Sequence, residues 1–232
     1  MKKDSSNPGS ERRDFLKQVA TGAAALSLTM IAPPVSLQAT PLHDGPGDDA
    51  DAWFNKIKGK HRIVFDVTKP NEMMPFAWPK VFLLTNAATG TAEKDNGVVV
   101  ILRHDGIPYA MENRLWEKYK FGELFKIDDP GTKAPSIRNM FWQPKPGDFK
   151  VPGIGEVAIG INELQASGVM FCVCDMALTV FSAVAAQNMN MDAAAVKKDW
   201  VSGVLPGIQI VPSGVWAVGR AQEHGCAYCF AG

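Results

Sequence analysis

The sequence predicts a single-domain α/β protein with a parallel, doubly wound sheet of about five strands. Strand-like apolar segments alternate along the chain with segments of helical periodicity, which is the order typical of parallel sheets. Residues 97–102 form a continuous apolar run, as expected for a strand buried on both faces. The chain has no internal repeat, so the alternation indicates one domain rather than an array.

The first half of the domain contains two predicted strands and two predicted helices. Alternation of polar and apolar residues predicts a strand at 61–67. Apolar residues at helical spacing predict a helix over 76–94, which ends in Lys-Asp-Asn-Gly before the buried strand at 97–102. A further helix is predicted over 112–126.

Residues 127–153 interrupt this pattern. They are rich in proline, glycine and polar residues, and they are longer than an ordinary connection. We interpret them as an insertion, or as a flap over the site, that carries Arg138, Phe141 and Trp142.

The second half of the domain returns to the alternation of helices and strands. Gly168 provides a good helix C-cap between the first helix and the first strand of this half. Strands are predicted at 169–174, 207–211 and 226–230, and helices at 157–167, 176–187, 192–201 and 215–223.

Residues 1–39 are typical of a twin-arginine export signal. Arg12 and Arg13 are adjacent and are followed by Phe-Leu and a lysine. A mildly apolar segment comes next, at 19–32, and small residues before and at Ala39 predict cleavage there. The alternative is an amphipathic N-terminal helix on a cytosolic protein.

This signal predicts that the Tat translocase delivers the folded protein to a bacterial periplasm. A membrane span needs about 20 apolar residues, and no segment comes close, so we expect no integral membrane segment in the mature chain. Residues 40–60 are predicted to be a loosely ordered polar linker before the domain at 61–232. The signal contains five basic and three acidic residues of the 24 of each, so the mature net charge is about −2, which indicates neither nucleic acid nor an anionic membrane surface as a partner.

The chain lacks the usual nucleotide fingerprints, since it has neither a Walker loop nor a Gly-x-Gly-x-x-Gly after a strand. No motif requires a cofactor. The four cysteines lie in two close pairs, Cys172 with Cys174 and Cys226 with Cys229. Their clustering in a chain bound for an oxidising compartment indicates chemistry.

Cys174 is the first candidate for a catalytic residue. It ends a predicted strand and precedes a helix, and ligands of open α/β sheets bind beyond the carboxyl ends of the strands. A helix N-terminus favours a thiolate, although the neighbouring Asp175 opposes one. The alternative is a buried core cysteine. Cys172 lies two residues earlier, where its side chain is expected on the same face, and we interpret it as a core residue.

Three segments of the second half carry a resemblance to a known family. They are Phe-Cys-Val-Cys-Asp-Met-Ala-Leu at 171–178, Val-Pro-Ser-Gly-Val at 211–215 with Gln222 in the following helix, and Gly-Cys-Ala-Tyr at 225–228. This chain resembles the DsrE/DsrF-like sulfur-relay superfamily over 61–232. As a whole it is similar to the Tat-exported, largely uncharacterised branch of that superfamily.

The resemblance implies a parallel α/β fold with flavodoxin-like layering and assembly into homotrimers or homohexamers. It also implies that Cys174 matches the cysteine that passes persulfide sulfur. The expected function is therefore the periplasmic handling of sulfur, or of a thiol-reactive small ligand, through persulfide or disulfide chemistry. The alternative functions are a non-catalytic small-ligand-binding or accessory protein and a metal-binding protein.

Cys226 and Cys229 form a Cys-x-x-Cys motif with three interpretations. It is a disulfide or redox pair, a source of two thiolates for a metal, or incidental. A metal site would need further ligands, for which His224 and His104 are the candidates. The motif is not a c-type haem site, because Phe230 occupies the position of the required histidine.

The last strand of such a fold can lie near the strand that carries Cys174. Either Cys226 or Cys229 is then a candidate resolving partner for Cys174. His104 follows the second strand and is expected at the same end of the sheet, as a catalytic base, as a ligand, or as a structural or surface residue.

Overall fold

The computed structural model describes residues 50–232. The predicted export signal at 1–39, its cleavage site and the first part of the predicted linker lie outside these residues. No helix within the described part of the chain is both long and apolar enough to cross a bilayer.

The described residues form seven strands and eight α-helices. The strands are β1 (His61–Val67), β2 (Asn96–Leu102), β3 (Lys150–Val151), β4 (Gly155–Glu156), β5 (Met170–Cys174), β6 (Ile208–Val211) and β7 (Ala227–Phe230). The helices are α1 (Ala50–Phe54), α2 (Met74–Ala88), α3 (Asn113–Lys118), α4 (Phe121–Leu124), α5 (Ile161–Ala166), α6 (Asp175–Met189), α7 (Ala193–Ser202) and α8 (Gly214–Glu223). Two 3₁₀ helices are Glu93–Asp95 and His104–Ala110.

Five strands form one sheet in the order β6-β5-β2-β1-β7, and every neighbouring pair is parallel. Helices cover both faces of this sheet. The prediction of a single α/β domain with a parallel, doubly wound sheet of about five strands is therefore confirmed. Strand β2 lies at the centre and is buried at every residue, which explains the continuous apolar run that predicted it.

The two faces of the sheet support two separate cores. The larger core contains alternate residues of the strands, such as Phe65 and Phe171, and packs against α2, α6 and α7. The smaller core contains Val64 and Ile101 and packs against α1 and α8. Because side chains of a strand alternate between faces, β1, β2, β5 and β6 each contribute to both cores.

The structure differs from the expectation of a loose linker at its C-terminal end. Trp53, Phe54 and Ile57 are buried in the smaller core, and the ring of Phe54 lies 5.7 Å from that of Trp216 in α8. Burial of three large apolar side chains outweighs the polar composition of this short segment.

Three predicted helices are shorter or broken. The helix predicted over 76–94 is α2, which ends at Ala88 because the chain turns at Gly90, with a left-handed φ of 93°. The helix predicted over 112–126 divides into α3 and α4 because Lys120 takes a left-handed conformation, with φ of 50°. The helix predicted over 157–167 is reduced to α5, since its first residues continue the insertion. There Val157 donates a backbone hydrogen bond to Phe149.

Candidate functional site

Cys174 is the last residue of β5 and the N-cap of α6. Its Sγ accepts a hydrogen bond of 3.3 Å from the backbone N–H of Ala177. The first N–H groups of a helix lack partners inside the helix, and they carry the positive end of its dipole. The sulfur thus lies at the positive end of the helix dipole and satisfies one of these N–H groups. The residue is only 6% exposed.

Arg103 lies beside Cys174 at the carboxyl end of the sheet. The register of β2 with β5 pairs Leu102 with Val173. Arg103 and Cys174 are the residues that directly follow this pair along the chain. Neighbouring strands are about 4.8 Å apart. Arg103 donates two hydrogen bonds to the carboxylate of Asp66, from Nε at 2.7 Å and from Nη2 at 2.8 Å.

The pKa of Arg103 is raised, chiefly by the hydrogen bond to Asp66. Burial opposes this shift, and the charge of the Asp66 carboxylate adds to it. The guanidinium is thus held in its charged form at the carboxyl end of the sheet.

Tyr228 and Gly214 complete the surroundings of this ion pair. The hydroxyl of Tyr228, on β7, donates a hydrogen bond of 2.8 Å to Asp66. Gly214 begins α8 and packs on the Arg103 side chain, where an added Cβ would lie 2.6 Å from Arg103 Cδ. Only glycine therefore lets α8 start this close to Arg103.

Asp175 follows Cys174 directly and carries a charge that would oppose a thiolate. Its carboxylate forms an ion pair of 3.0 Å with Lys197 of α7. This pairing reduces the repulsion that the sequence suggested between Asp175 and a Cys174 thiolate.

Cys172 is fully buried, and burial raises its pKa. It packs in the smaller core, whereas Cys174 packs with the larger one. The two sulfurs were expected to face the same layer. They do not, because the chain leaves the strand and turns into α6 at Cys174.

The expectation that the last strand lies near the strand of Cys174 is wrong. Strand β7 is at one edge of the sheet, and β1 and β2 separate it from β5. Three strand spacings amount to about 14 Å, while a disulfide requires Cα atoms within about 7 Å. The strand order therefore does not allow Cys226 or Cys229 to resolve a disulfide with Cys174.

The Cys-x-x-Cys motif divides between the two faces of the sheet. Cys226 packs in the smaller core and Cys229 against the larger one. Burial raises the pKa of Cys226 to about 11, opposed by Arg62, and burial also raises the pKa of Cys229. All four cysteines are free thiols.

The structure does not assemble the metal ligands suggested by the sequence. The ring of His224 stacks on Phe54 at 6.3 Å. Within residues 50–232, no group of three or more histidine, cysteine, aspartate or glutamate residues is arranged to hold a metal ion.

His104 does lie at the same end of the sheet as Cys174, immediately after β2 and Arg103. It is exposed and adopts a left-handed φ of 50°. Its ring stands edge-on to Phe181 at 5.6 Å. Phe181 is seven residues into α6, or about 10 Å along the helix axis from Cys174, so His104 contacts the second turn of this helix.

The insertion 127–153 lines a cavity instead of covering Cys174. The cavity measures about 600 Å³ and lies between the insertion and the segments that follow β1 and β2. Phe141 is in its wall, while Trp142 packs against the larger core. Arg138 is turned inward and bonds two carboxylates of the insertion, those of Asp129 and Asp148.

Sequence reasoning missed Asp66, Arg103 and Tyr228 as parts of the site. Asp66 did leave a signal, because a carboxylate within an otherwise apolar strand needs a partner when buried. Tyr228 left none beyond its place in the family motif, since its role depends on β7 pairing with β1.

Comparisons with known proteins add little to this geometry. No family model matches the chain, and no curated protein matches it. The chain is similar to a solved structure of a protein of unknown function from Methanobacterium thermoautotrophicum, with 18% sequence identity and a TM-score of 0.40. That similarity covers 74% of this chain and 99% of the other.

Proposed function

We propose that this chain is a Tat-exported, periplasmic DsrE-like protein that handles sulfur, or a thiol-reactive small ligand, through Cys174. The observation that carries the proposal is the hydrogen bond from Ala177 N–H to Cys174 Sγ at the N-terminus of α6. A sulfur nucleophile at the carboxyl end of a parallel sheet occupies the usual ligand position of such folds.

The simplest reaction is the transfer of a sulfane sulfur atom. The Cys174 thiolate attacks the outer sulfur of a small persulfide, R–S–SH. The bond between the two donor sulfurs breaks as the new bond to Cys174 forms. The products are the Cys174 persulfide, which keeps the proton, and the thiolate RS⁻, so no external oxidant or reductant is needed.

Arg103 supports this step by electrostatic stabilisation of the anions involved. Two of its five side-chain N–H groups bond Asp66. The other three have no hydrogen-bond partner within residues 50–232. They are available to an anionic donor or leaving thiolate next to Cys174.

The strand order favours chemistry at one cysteine. Because Cys226 and Cys229 are remote from Cys174, a covalent intermediate would be a persulfide or a mixed disulfide with an outside thiol. A disulfide between Cys174 and either Cys226 or Cys229 does not fit this strand order.

Self-association is part of the proposal. Met176, Val180 and Val184 are exposed apolar side chains of α6, and their spacing of four residues places them on one helix face. An apolar stripe of this kind supports the expectation of a homo-oligomer.

A second candidate function is a non-catalytic binding or accessory protein. It is favoured by the burial of Cys174, which leaves little of the residue open to a reactant. Loading with sulfur distinguishes the two functions.

The test is to treat the purified protein with glutathione persulfide and to measure its intact mass. We expect a gain of one sulfur atom that a reductant removes and that Cys174→Ser abolishes. The matched control is Cys229→Ser, which removes the more exposed thiol and should load normally. Equal loading of Cys174→Ser and the unchanged protein contradicts the proposal, and an unreactive Cys174 favours the binding protein.

A further inference from the structure

The cavity lined by the insertion is of a size that holds a small molecule. Its volume of about 600 Å³ falls within the range of about 300 to 1,000 Å³ that is usual for ligand sites. Cys174 is not among its lining residues, so this cavity is separate from the proposed sulfur site.

One wall of the cavity is aromatic. The rings of Phe141 and Phe149 are stacked, with centroids 4.8 Å apart and planes 9° from parallel. Tyr109 meets Phe141 edge-on at 5.3 Å. Met73 and Met140 extend the apolar surface. Such a wall accommodates a flat, apolar body.

The hydroxyl of Tyr109 has no hydrogen-bond partner within residues 50–232, although the residue is 1% exposed. Burial raises its pKa, so the hydroxyl is protonated and able to donate. Buried hydroxyls nearly always have a partner. Because Tyr109 lines the cavity, a polar atom of a bound molecule would satisfy it.

Two lysines without an ion-pair partner among the described residues line the cavity. Lys126, Lys133 and Lys150 line it, and the first two have no ion-pair partner within the described part of the chain. Of the four lining carboxylates, Asp129 and Asp148 are bonded by Arg138. Lys150 is paired with Glu156, so Lys126 and Lys133 are the lining lysines that remain open to a ligand, beside the carboxylates of Glu72 and Asp128.

Backbone strain is concentrated at the same place. Glu72, Lys126 and Lys133 all line the cavity and adopt left-handed conformations, with φ of 47°, 55° and 58°. Side chains other than glycine rarely adopt this conformation, and they are found there most often at ligand sites and turns.

The walls are held in place before any ligand arrives. Asn139 donates hydrogen bonds to the carbonyls of Tyr109 and Met111, at 2.8 Å and 2.9 Å. Arg138 joins Asp129 and Asp148 across the insertion. A preorganised cavity loses less entropy when it binds.

We propose that this cavity binds a small aromatic acid that carries a second polar oxygen. The ring lies against Phe149, because Phe141 is stacked between Phe76 and Phe149. The acid group contacts Lys126 and Lys133, and the second oxygen meets the Tyr109 hydroxyl. This site is independent of Cys174 and of the proposed sulfur chemistry.

Titration calorimetry with three related probes tests the site. 4-Hydroxycinnamate has the ring, the acid and the second oxygen, cinnamate lacks that oxygen, and 4-hydroxycinnamamide lacks the charge. We expect 4-hydroxycinnamate to bind about tenfold more tightly than either of the others, the difference typical of one charged or buried polar contact.

Substitutions of the lining residues test which of them contact the ligand. The double variant Lys126→Met with Lys133→Met should bind 4-hydroxycinnamate at least about tenfold more weakly, and Tyr109→Phe should abolish the preference over cinnamate. Lys198→Met, an exposed lysine outside the cavity, and Cys174→Ser should bind like the unchanged protein. Absence of binding by all three probes at millimolar concentration, or equal affinity in the double variant, overturns the inference.

Discussion

Arg103 holds the carboxylate of Asp66 through two parallel hydrogen bonds, at the end of the sheet where Cys174 begins α6. Asp66 is 1% exposed, so its carboxylate depends on these contacts for hydrogen-bond partners. The pair joins β1 to β2, and Gly214 fixes the Arg103 side chain against α8. Stability and site geometry therefore depend on the same residues.

Replacing Arg103 with methionine should destabilise the protein by about 3 kcal/mol, because it leaves the buried charge of Asp66 unpaired. Urea unfolding followed by tryptophan fluorescence measures this loss. The control is Lys80→Met, which removes the partner of Glu93, a carboxylate that is 33% exposed, and it should cost less than about 1 kcal/mol. Losses of similar size in the two variants would show that the pair of Arg103 and Asp66 stabilises the protein no more than the pair of Lys80 and Glu93 does.

Two tyrosine-to-phenylalanine changes should have opposite effects on the free energy of unfolding. Tyr228→Phe removes a hydrogen bond to Asp66 and should cost about 1 kcal/mol. Tyr109→Phe removes a buried hydroxyl that has no partner among residues 50–232, and should leave stability unchanged or raise it by up to about 1 kcal/mol. A large loss in Tyr109→Phe, measured by the same unfolding assay without ligand, would mean that this hydroxyl is satisfied.

The insertion should loosen in acid. Arg138 holds the pKa of Asp148 below its usual range, chiefly through their hydrogen bonds. The unfolded chain, with an ordinary value near about 4, takes up the proton first as the pH falls. The stabilisation is therefore complete well above about pH 4 and is lost as the pH falls through the lowered folded-state value.

Limited proteolysis of the insertion at about pH 6 and about pH 3, with an acid-active protease, measures this loosening. Asp148→Asn should be cut readily at both pH values, because the charged contact is already weakened. Glu117→Gln, a change at an exposed carboxylate, should behave like the unchanged protein. Equal protection of the unchanged insertion at both pH values would count against the pH dependence.

A charge on the apolar stripe of α6 should disrupt self-association. Val180→Glu places a carboxylate between Met176 and Val184, where burial in an interface would require its desolvation. Light scattering after size exclusion should show an oligomer for the unchanged protein and a smaller species for this variant. Ile154→Glu, at an exposed apolar residue in the turn between β3 and β4, is the control. A monomer in all three samples contradicts the proposed assembly.

The sequence predicted most of the architecture because the signals for strands and helices are local. The strand at 61–67 was placed at both ends as it is observed, and α6 and α7 differ from their predictions by one or two residues at each end. Prediction failed where distant contacts override local periodicity. In α1, Trp53 and Phe54 are buried against one face of the sheet. The polar residues around them in the sequence do not indicate this contact.

The candidate site was predicted only in part. Cys174 was recognised because its position between a strand and a helix is a local feature. The remoteness of Cys226 and Cys229 was not foreseen, since it depends on which edge of the sheet receives the last strand. Spacing along the chain carries no information about that choice.

By itself, the sequence determined that this protein is an α/β domain with a parallel sheet, and it identified Cys174 at the end of a strand. Only the tertiary structure decided that Asp66 and Arg103 pair beside this cysteine, that the other cysteines are apart from it, and that the insertion encloses a cavity. The physical reason is that strand order and long-range packing determine which residues meet. Periodicity determines only the element to which each residue belongs.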